Sequence, residues 1–138
     1  MDVRAITFAG STRTDQVIQA AAAKPNLKNT IFELGGKSPT VIFENAELET
    51  AVAETQCSIQ FNSGQACIAN SRIYVQDTIA GRFIALFKEK FSAVSAGYPT
   101  RKETNHGPVA DEIQYNTVKD YIKLGKQWGE MDLGEEGE

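Results

Sequence analysis

Short β-branched segments alternate with longer segments of helical periodicity along most of the chain, and this alternation constrains the fold more than any other feature. The strand-like segments cover residues 3–8, 30–33, 39–43 and 72–76. Apolar residues recur at helical spacing over residues 12–24, roughly 45–61, 78–94 and 110–128. Strands that alternate with helices favour parallel pairing. The sequence therefore predicts an α/β protein with one small, mostly parallel sheet and flanking helices.

Capping residues and proline indicate where the first predicted helix begins and ends. Ser11 or Thr12 is its predicted N-cap. Pro25 predicts an end near residue 24, because the residue before a proline is pushed out of the α region. Two further residues have structural predictions: Cys57, on the apolar face of the second helix, as a core residue, and His106, in a polar loop, as a solvent-facing one.

The size and charge of the chain argue against several classes of function. Its 138 residues suit one compact domain, and a net charge of −4 without a basic cluster argues against a nucleic-acid partner. The apolar runs are too short for a membrane span, and the N-terminal residues lack a signal-peptide pattern. These features predict a cytoplasmic protein without a membrane partner. One histidine and two cysteines, without zinc-ligand spacing, predict no metal site.

A candidate nucleophile ends the segment 62–67, which reads NSGQAC. Cys67 follows a glycine-containing break, and a cysteine there can sit at the start of a helix. The helix dipole and free N–H groups would favour its thiolate, and the same groups could hold an oxyanion. A buried structural cysteine is the alternative interpretation of this spacing.

A candidate general base begins the segment 33–39, which reads ELGGKSP. Glu33 ends a predicted strand, and catalytic groups of open α/β folds gather beyond such strand ends. Gly35 and its glycine neighbour permit close approach of a ligand or of another backbone segment. A solvated glutamate in a turn is the alternative. The segment 8–12, FAGST, has the strand–glycine–helix order of phosphate-binding turns, although most such turns bind nothing.

Taken together, these segments closely resemble the aldehyde dehydrogenase superfamily in their order and in their residues. The resemblance rests on FAGST at 8–12, ELGGKSP at 33–39, FNSGQAC at 61–67 and NSRIYVQ at 70–76, and it continues to residues 125–126. It implies a truncated member of that fold, covering the end of the cofactor domain and the first half of the catalytic domain. The predicted division is a cofactor-domain remnant at 1–33, a partial catalytic domain at 34–130 and an acidic tail at 131–138, all in one compact unit.

The resemblance also implies a role for each site residue. In that family the cysteine attacks an aldehyde carbonyl, a hydride leaves for NAD(P), and the glutamate activates the water that hydrolyses the thioester. These roles correspond to Cys67 as nucleophile and Glu33 as general base. Gly10, Ser11 and Gly35 match positions beside the cofactor.

Members of that family are much longer, so the resemblance implies that most of the cofactor-binding residues lie outside these 138 residues. Dinucleotide binding draws on many contacts across a crevice. We therefore expect no cofactor for the isolated chain and no oxidation of aldehydes with NAD alone. We expect Cys67 and Glu33 to perform cofactor-independent chemistry on a small carbonyl-containing metabolite: isomerisation, cyclisation, or thioester or ester hydrolysis.

Two alternatives to this function remain open. One is an NAD(P)-dependent aldehyde oxidoreductase that needs a partner chain. The other is a non-catalytic association module. In either the first function or the last, exposed strand edges and uncovered apolar surface predict a homo-oligomer.

Overall fold

A computed structural model describes residues 3–129 and shows an α/β fold. In chain order the elements are β1 (Ala5–Gly10), α1 (Thr12–Asn26), β2 (Asn29–Leu34), β3 (Pro39–Ile42), α2 (Leu48–Gln60), β4 (Arg72–Val75), α3 (Asp77–Ser92) and α4 (Glu112–Trp128). A short 3-10 turn, Phe61–Gly64, follows α2. The predicted fold class is confirmed. The predicted acidic tail lies outside the described residues, and the predicted division into domains stays a prediction.

The four strands form two separate parallel pairs, β1 with β2 and β3 with β4. The prediction of a parallel arrangement is confirmed, but the prediction of a single sheet is wrong. Each pair is a βαβ unit, in which α1 or α2 carries the chain back to a strand parallel to the first. Periodicity identifies such units but does not encode whether two consecutive units share hydrogen bonds.

The first helix has the predicted cap. The Ser11 hydroxyl accepts a hydrogen bond from the Thr14 amide at 3.2 Å, which satisfies one of the free donors of the first turn. Pro25 lies in the last turn, so the helix extends to Asn26, slightly beyond the predicted end. Leu27 then adopts a left-handed conformation with φ of 50°, which ends the helix.

The hydrophobic core lies between α2, α3 and the β3–β4 sheet. Its buried members are Ile42, Leu48, Val52, Ile79 and Phe83. On each helix these residues are spaced by four positions, so their side chains leave one face of the helix and meet the sheet. The core thus belongs to the second βαβ unit and to the helix that follows it.

Two sequence predictions about single residues are wrong. Cys57 is exposed, because the buried face of α2 runs through Leu48, Val52 and Thr55, and Cys57 lies off that line. His106 is half-buried, and its Nδ1 atom is shielded from solvent. Its backbone is fixed by a hydrogen bond from its amide to the Ser95 carbonyl at 3.1 Å.

The last helix is the least covered element of the fold. None of the residues of α4 is buried, although it carries a broad apolar face. That face includes Ile113, Tyr121, Leu124 and Trp128, of which Trp128 is 84% exposed. Among residues 3–129, no helix combines the length and apolar character that crossing a membrane requires.

Candidate functional site

A cleft of about 770 Å³ opens at the carboxyl ends of β1 and β2. The five residues that the sequence singles out all line it: Gly10, Ser11, Glu33, Gly35 and Cys67. Gly10 and Ser11 lie at the β1–α1 junction. Glu33 and Gly35 lie at the end of β2, and Cys67 lies in the loop after α2. Parallel strands deliver their following loops to one edge, which is where α/β folds place ligands. The fold therefore gathers residues that lie 57 positions apart, counted from Gly10 to Cys67.

The loop that follows β2 and the loop that carries Cys67 touch through their backbones. A Cβ atom placed on Gly36 would lie 2.9 Å from the Cys67 carbonyl oxygen, closer than such contacts normally come. Only glycine permits this approach without displacement of one loop. Arg72 reinforces the first loop, because its Nε donates to the Lys37 carbonyl at 2.7 Å. The relative placement of these two loops is thus set by backbone packing.

Cys67 lies in a turn, so the prediction that it starts a helix is wrong. The Ala69 amide donates to the Ala66 carbonyl at 3.1 Å and closes this turn around Cys67. The next regular element after the turn is β4. A strand has no strong axial dipole, so the argument that a helix N-terminus activates the thiol does not apply here. The thiol is exposed to the cleft and to solvent.

Three successive residues with positive φ precede Cys67. Asn62, Ser63 and Gly64 have φ of 50°, 57° and 76°. Left-handed backbone favours glycine, and a non-glycine residue adopts it only when neighbouring contacts hold it there. This turn reverses the chain after α2 and directs Cys67 toward Gly36 and the cleft.

Glu33 projects from the edge pair β1–β2, where it lies opposite Ala9 in the parallel register. Its side chain is exposed and lines the cleft. A carboxylate at this position has access to water as well as to a ligand in the cleft. An exposed carboxylate of this kind can in general act as a base toward water.

Gly10, Ser11 and Gly35 form one wall of the cleft, where the family resemblance predicts part of a dinucleotide cofactor. Helix α1 begins there, and the free N–H groups of a helix N-terminus suit a polar or anionic group. A side chain at Gly35 would meet no atom within 4 Å, so the cleft is open there. At Gly10 the glycine serves the fold itself, because an added Cβ would lie 2.5 Å from the Phe8 ring. These residues would hold one portion of such a cofactor.

The sequence did not identify the cleft residues that come from beyond the third helix. Asp111 and Gln114 line it from the start of α4, and Lys37 lines it from the loop after β2. Asp111 is the N-cap of α4 and accepts from the Gln114 amide at 2.7 Å. An acidic N-cap predicts a helix start, but nothing local indicates that this helix start faces Cys67. Within residues 3–129, no three His, Cys, Asp or Glu side chains cluster as metal ligands.

Comparison with known proteins identifies the family of the chain. The model of the aldehyde dehydrogenase family matches residues 1–137. The chain therefore belongs to the aldehyde dehydrogenase family, as the sequence predicts.

Relatives and solved structures of that family match nearly the whole chain. It is 41% identical to an aldehyde dehydrogenase of Emericella nidulans and 40% identical to the mitochondrial aldehyde dehydrogenase of Equus caballus, over 94% and 93% of its length. Among solved structures, it matches a betaine aldehyde dehydrogenase of Staphylococcus aureus in complex with NAD⁺, with a TM-score of 0.89 and 32% identity over 96% of its length.

The chain spans about a quarter of the length of these relatives, since each of these matches covers 26% of the longer protein. The prediction that it corresponds to a fragment of the family's fold is confirmed. The catalytic roles of Cys67 and Glu33 stay predictions, because a match in fold and sequence does not measure chemistry.

Proposed function

We propose that the chain provides the thiol and the carboxylate of an aldehyde dehydrogenase-type active site and that, by itself, it uses them for acyl chemistry without a cofactor. The observation that carries this proposal is that Glu33 and Cys67 line one cleft while Gly36 packs against the Cys67 carbonyl. A nucleophile and a base that share a cleft suit substrates with an electrophilic carbonyl carbon. The substrate class is a small carbonyl-containing molecule.

The proposed reaction on an ester or a thioester has two steps. The Cys67 thiolate adds to the carbonyl carbon, and the tetrahedral adduct expels the alkoxide or thiolate, which takes a proton from solvent and leaves an acyl group on Cys67. Glu33 then takes a proton from water as the water attacks the acyl carbon. The acid is released, Cys67 leaves as a thiolate, and the proton held by Glu33 returns to solvent.

The same two residues also suit isomerisation or cyclisation of a carbonyl compound. Reversible addition of the Cys67 thiolate would hold the substrate, and Glu33 would move a proton between its carbon or oxygen atoms. Neither reaction changes the oxidation state of the whole substrate. We favour hydrolysis as the first activity to test because the exposed position of Glu33 gives it access to water.

The test is turnover of p-nitrophenyl acetate, with mass spectrometry of the protein during the reaction. Cys67→Ser should abolish the acetylated protein and the hydrolysis that passes through it. Glu33→Gln should slow deacylation by about 10²- to 10⁴-fold, the usual contribution of a general base, so that acetyl-Cys67 accumulates. Cys57→Ser is the matched control, because Cys57 is also exposed but lies on α2 outside the cleft lining. Hydrolysis that survives in Cys67→Ser would reject the proposal.

A second candidate function is NAD(P)-dependent aldehyde oxidation together with a partner chain. The chain covers 26% of relatives that include a structure with bound NAD⁺, and its own Gly10, Ser11 and Gly35 fit one portion of such a cofactor. When bound, the cofactor would accept a hydride from the aldehyde carbon. Titration of the isolated chain with NADH, followed by cofactor fluorescence, distinguishes the two candidates. Saturable binding at micromolar NADH would favour this second function, and no binding at millimolar NADH would count against it for the isolated chain.

We also propose that two copies of the chain associate through α4, in an antiparallel arrangement. The apolar face of α4 is uncovered, and such faces usually mark interaction sites. In an antiparallel pair the first turn of α4, which carries Glu112, would lie near the last turn of the other copy, which carries Lys126. Gel filtration at micromolar concentration should show a dimer. The double variant Tyr121→Ala/Trp128→Ala should be monomeric, and a monomeric wild-type chain would contradict this association.

A further inference from the structure

Two side-chain hydrogen bonds tie the segment before Cys67 to the segment that precedes α4. The Ser63 hydroxyl donates to the Gly107 carbonyl at 2.9 Å. The Gln65 side-chain oxygen accepts from the Ala110 amide at 2.7 Å. We call residues 62–67 the nucleophile loop. These two bonds attach it to residues 107–110, which are more than forty positions away in sequence.

Both polar atoms of the Gln65 carboxamide form hydrogen bonds. While its oxygen binds the Ala110 amide, its Nε2 donates to the Asn62 carbonyl at 3.0 Å. The Gln65 amide donates to the same carbonyl at 3.1 Å. One side chain thereby closes the left-handed turn and anchors it to a second part of the fold.

The left-handed residues of this loop need such an anchor. Asn62 and Ser63 both have positive φ, which non-glycine residues keep only when surrounding contacts impose it. Ser63 and Gln65 are the residues of the loop whose side chains reach residues 107–110. Gly107 also lies close, since a Cβ placed on it would be 3.5 Å from the Ser63 hydroxyl oxygen. Ser63 and Gly107 are therefore in van der Waals contact as well as hydrogen-bonded.

We propose that Gln65 and Ser63 are positioning residues that hold the Cys67 thiol in its reactive place by fixing the nucleophile loop to residues 107–110. This inference rests on the proposed acyl chemistry at Cys67. Neither side chain contacts reacting atoms; each acts through the loop backbone. Because a misplacement of about 1 Å can cost roughly 10²-fold in rate, loss of Gln65 is expected to slow acylation of Cys67 by about 10- to 100-fold.

The test compares Gln65→Ala, Gln65→Glu and Ser63→Ala with Gln56→Ala. Gln56 is a matched control because its Nε2 also donates to a distant carbonyl, that of Lys90 at 2.9 Å, but this bond joins α2 to α3 and does not reach residues 107–110. Three quantities are measured on the full chain: acylation of Cys67 by p-nitrophenyl acetate, amide hydrogen exchange in residues 107–111, and the ratio of iodoacetamide alkylation at Cys67 and Cys57. Thermal unfolding of each variant provides the measure of general destabilisation.

The expected result is faster exchange at residues 107–111 and slower acylation in Gln65→Ala, with both nearly unchanged in Gln56→Ala. Gln65→Glu keeps an acceptor for the Ala110 amide but loses the donor to Asn62, so it should recover part of the rate. Ser63→Ala should have the smaller effect, since it removes one bond and Gln65→Ala removes two. Unchanged hydrogen exchange in Gln65→Ala would overturn the proposal. Faster exchange in Gln65→Ala together with an acylation rate equal to that of Gln56→Ala would also overturn it.

The alkylation ratio separates failure of this inference from failure of the proposed function. If the wild-type chain shows no acylation at all, the acyl chemistry fails, while the reactivity of the thiol still reports its position. A Cys67-to-Cys57 alkylation ratio that changes in Gln65→Ala but not in Gln56→Ala would then support the positioning role. The same ratio in both variants would reject it.

Discussion

The packed half of the molecule and the half that carries the cleft differ in what holds them together. Around α2, α3 and the β3–β4 sheet, apolar side chains are buried, and Phe83 is only 3% exposed. Around the cleft, Glu33 and Cys67 are exposed, and the close contacts are made by backbone and by single hydrogen bonds. Stability should therefore reside mainly in the first half and chemistry in the second. Four substitutions test this separation, in order of decreasing expected effect.

Phe83→Ala should cause the largest change, and only in stability. Removing a buried aromatic ring loses its transfer free energy and leaves a cavity, which typically costs about 3–5 kcal/mol of unfolding free energy. Phe83 also stacks on Phe87 with ring centroids 5.4 Å apart, so the second ring loses a partner. Urea denaturation measures the loss. The acylation rate per folded molecule should stay the same. A lower acylation rate per folded molecule would show that the core and the cleft are not independent.

Gly36→Ala should mainly lower the rate of acylation and not the stability. The added Cβ would meet the Cys67 carbonyl at 2.9 Å, so one of the two loops must move. We expect acylation of Cys67 to fall by about 10²-fold, equivalent to roughly 2.7 kcal/mol of transition-state stabilisation. Gly81→Ala on α3 is the control, because a Cβ there meets nothing within 4 Å. Equal rates for the two variants would mean that the contact does not position the thiol.

Ser11→Ala should destabilise the cleft half modestly. It removes the hydroxyl that accepts from the Thr14 amide, and loss of such a cap costs about 1 kcal/mol. Hydrogen exchange of the first turn of α1 should increase, while exchange in α2 and α3 should not. Faster exchange throughout the chain would show that the first βαβ unit does not open independently of the core.

Glu47→Gln should have the smallest effect, and it should depend on pH. Hydrogen bonds from Thr50 to the exposed Glu47 carboxylate, which caps α2, lower the pKa of that group from its ordinary value of 4.5. Because the folded pKa is the lower one, this contribution to stability is present above pH 4.5 and is lost as the pH falls through the folded value. The difference in unfolding temperature between wild type and Glu47→Gln should shrink between pH 6 and pH 3. A constant difference would contradict this linkage.

Local sequence features predicted the elements well because they act over a few residues. The Ser11 cap and the periodicity of the second and third helices reflect contacts within a few turns, so they are readable in one dimension. The order of the family motifs likewise indicated that Glu33 and Cys67 belong to one site. By contrast, Cys57 was wrongly predicted as core because several faces of α2 carry apolar residues, and only packing against α3 selects one of them.

The sequence by itself determined the strands and helices, the family and the identity of the candidate nucleophile and base. Only the tertiary structure decided that the strands divide into two pairs, that Cys67 lies in a turn, and that Gln65 reaches Ala110. The physical reason is the range of the forces involved. Periodicity and capping act along the chain, whereas pairing of distant strands, backbone contact at Gly36 and anchoring of the nucleophile loop depend on groups that meet only after the chain has folded.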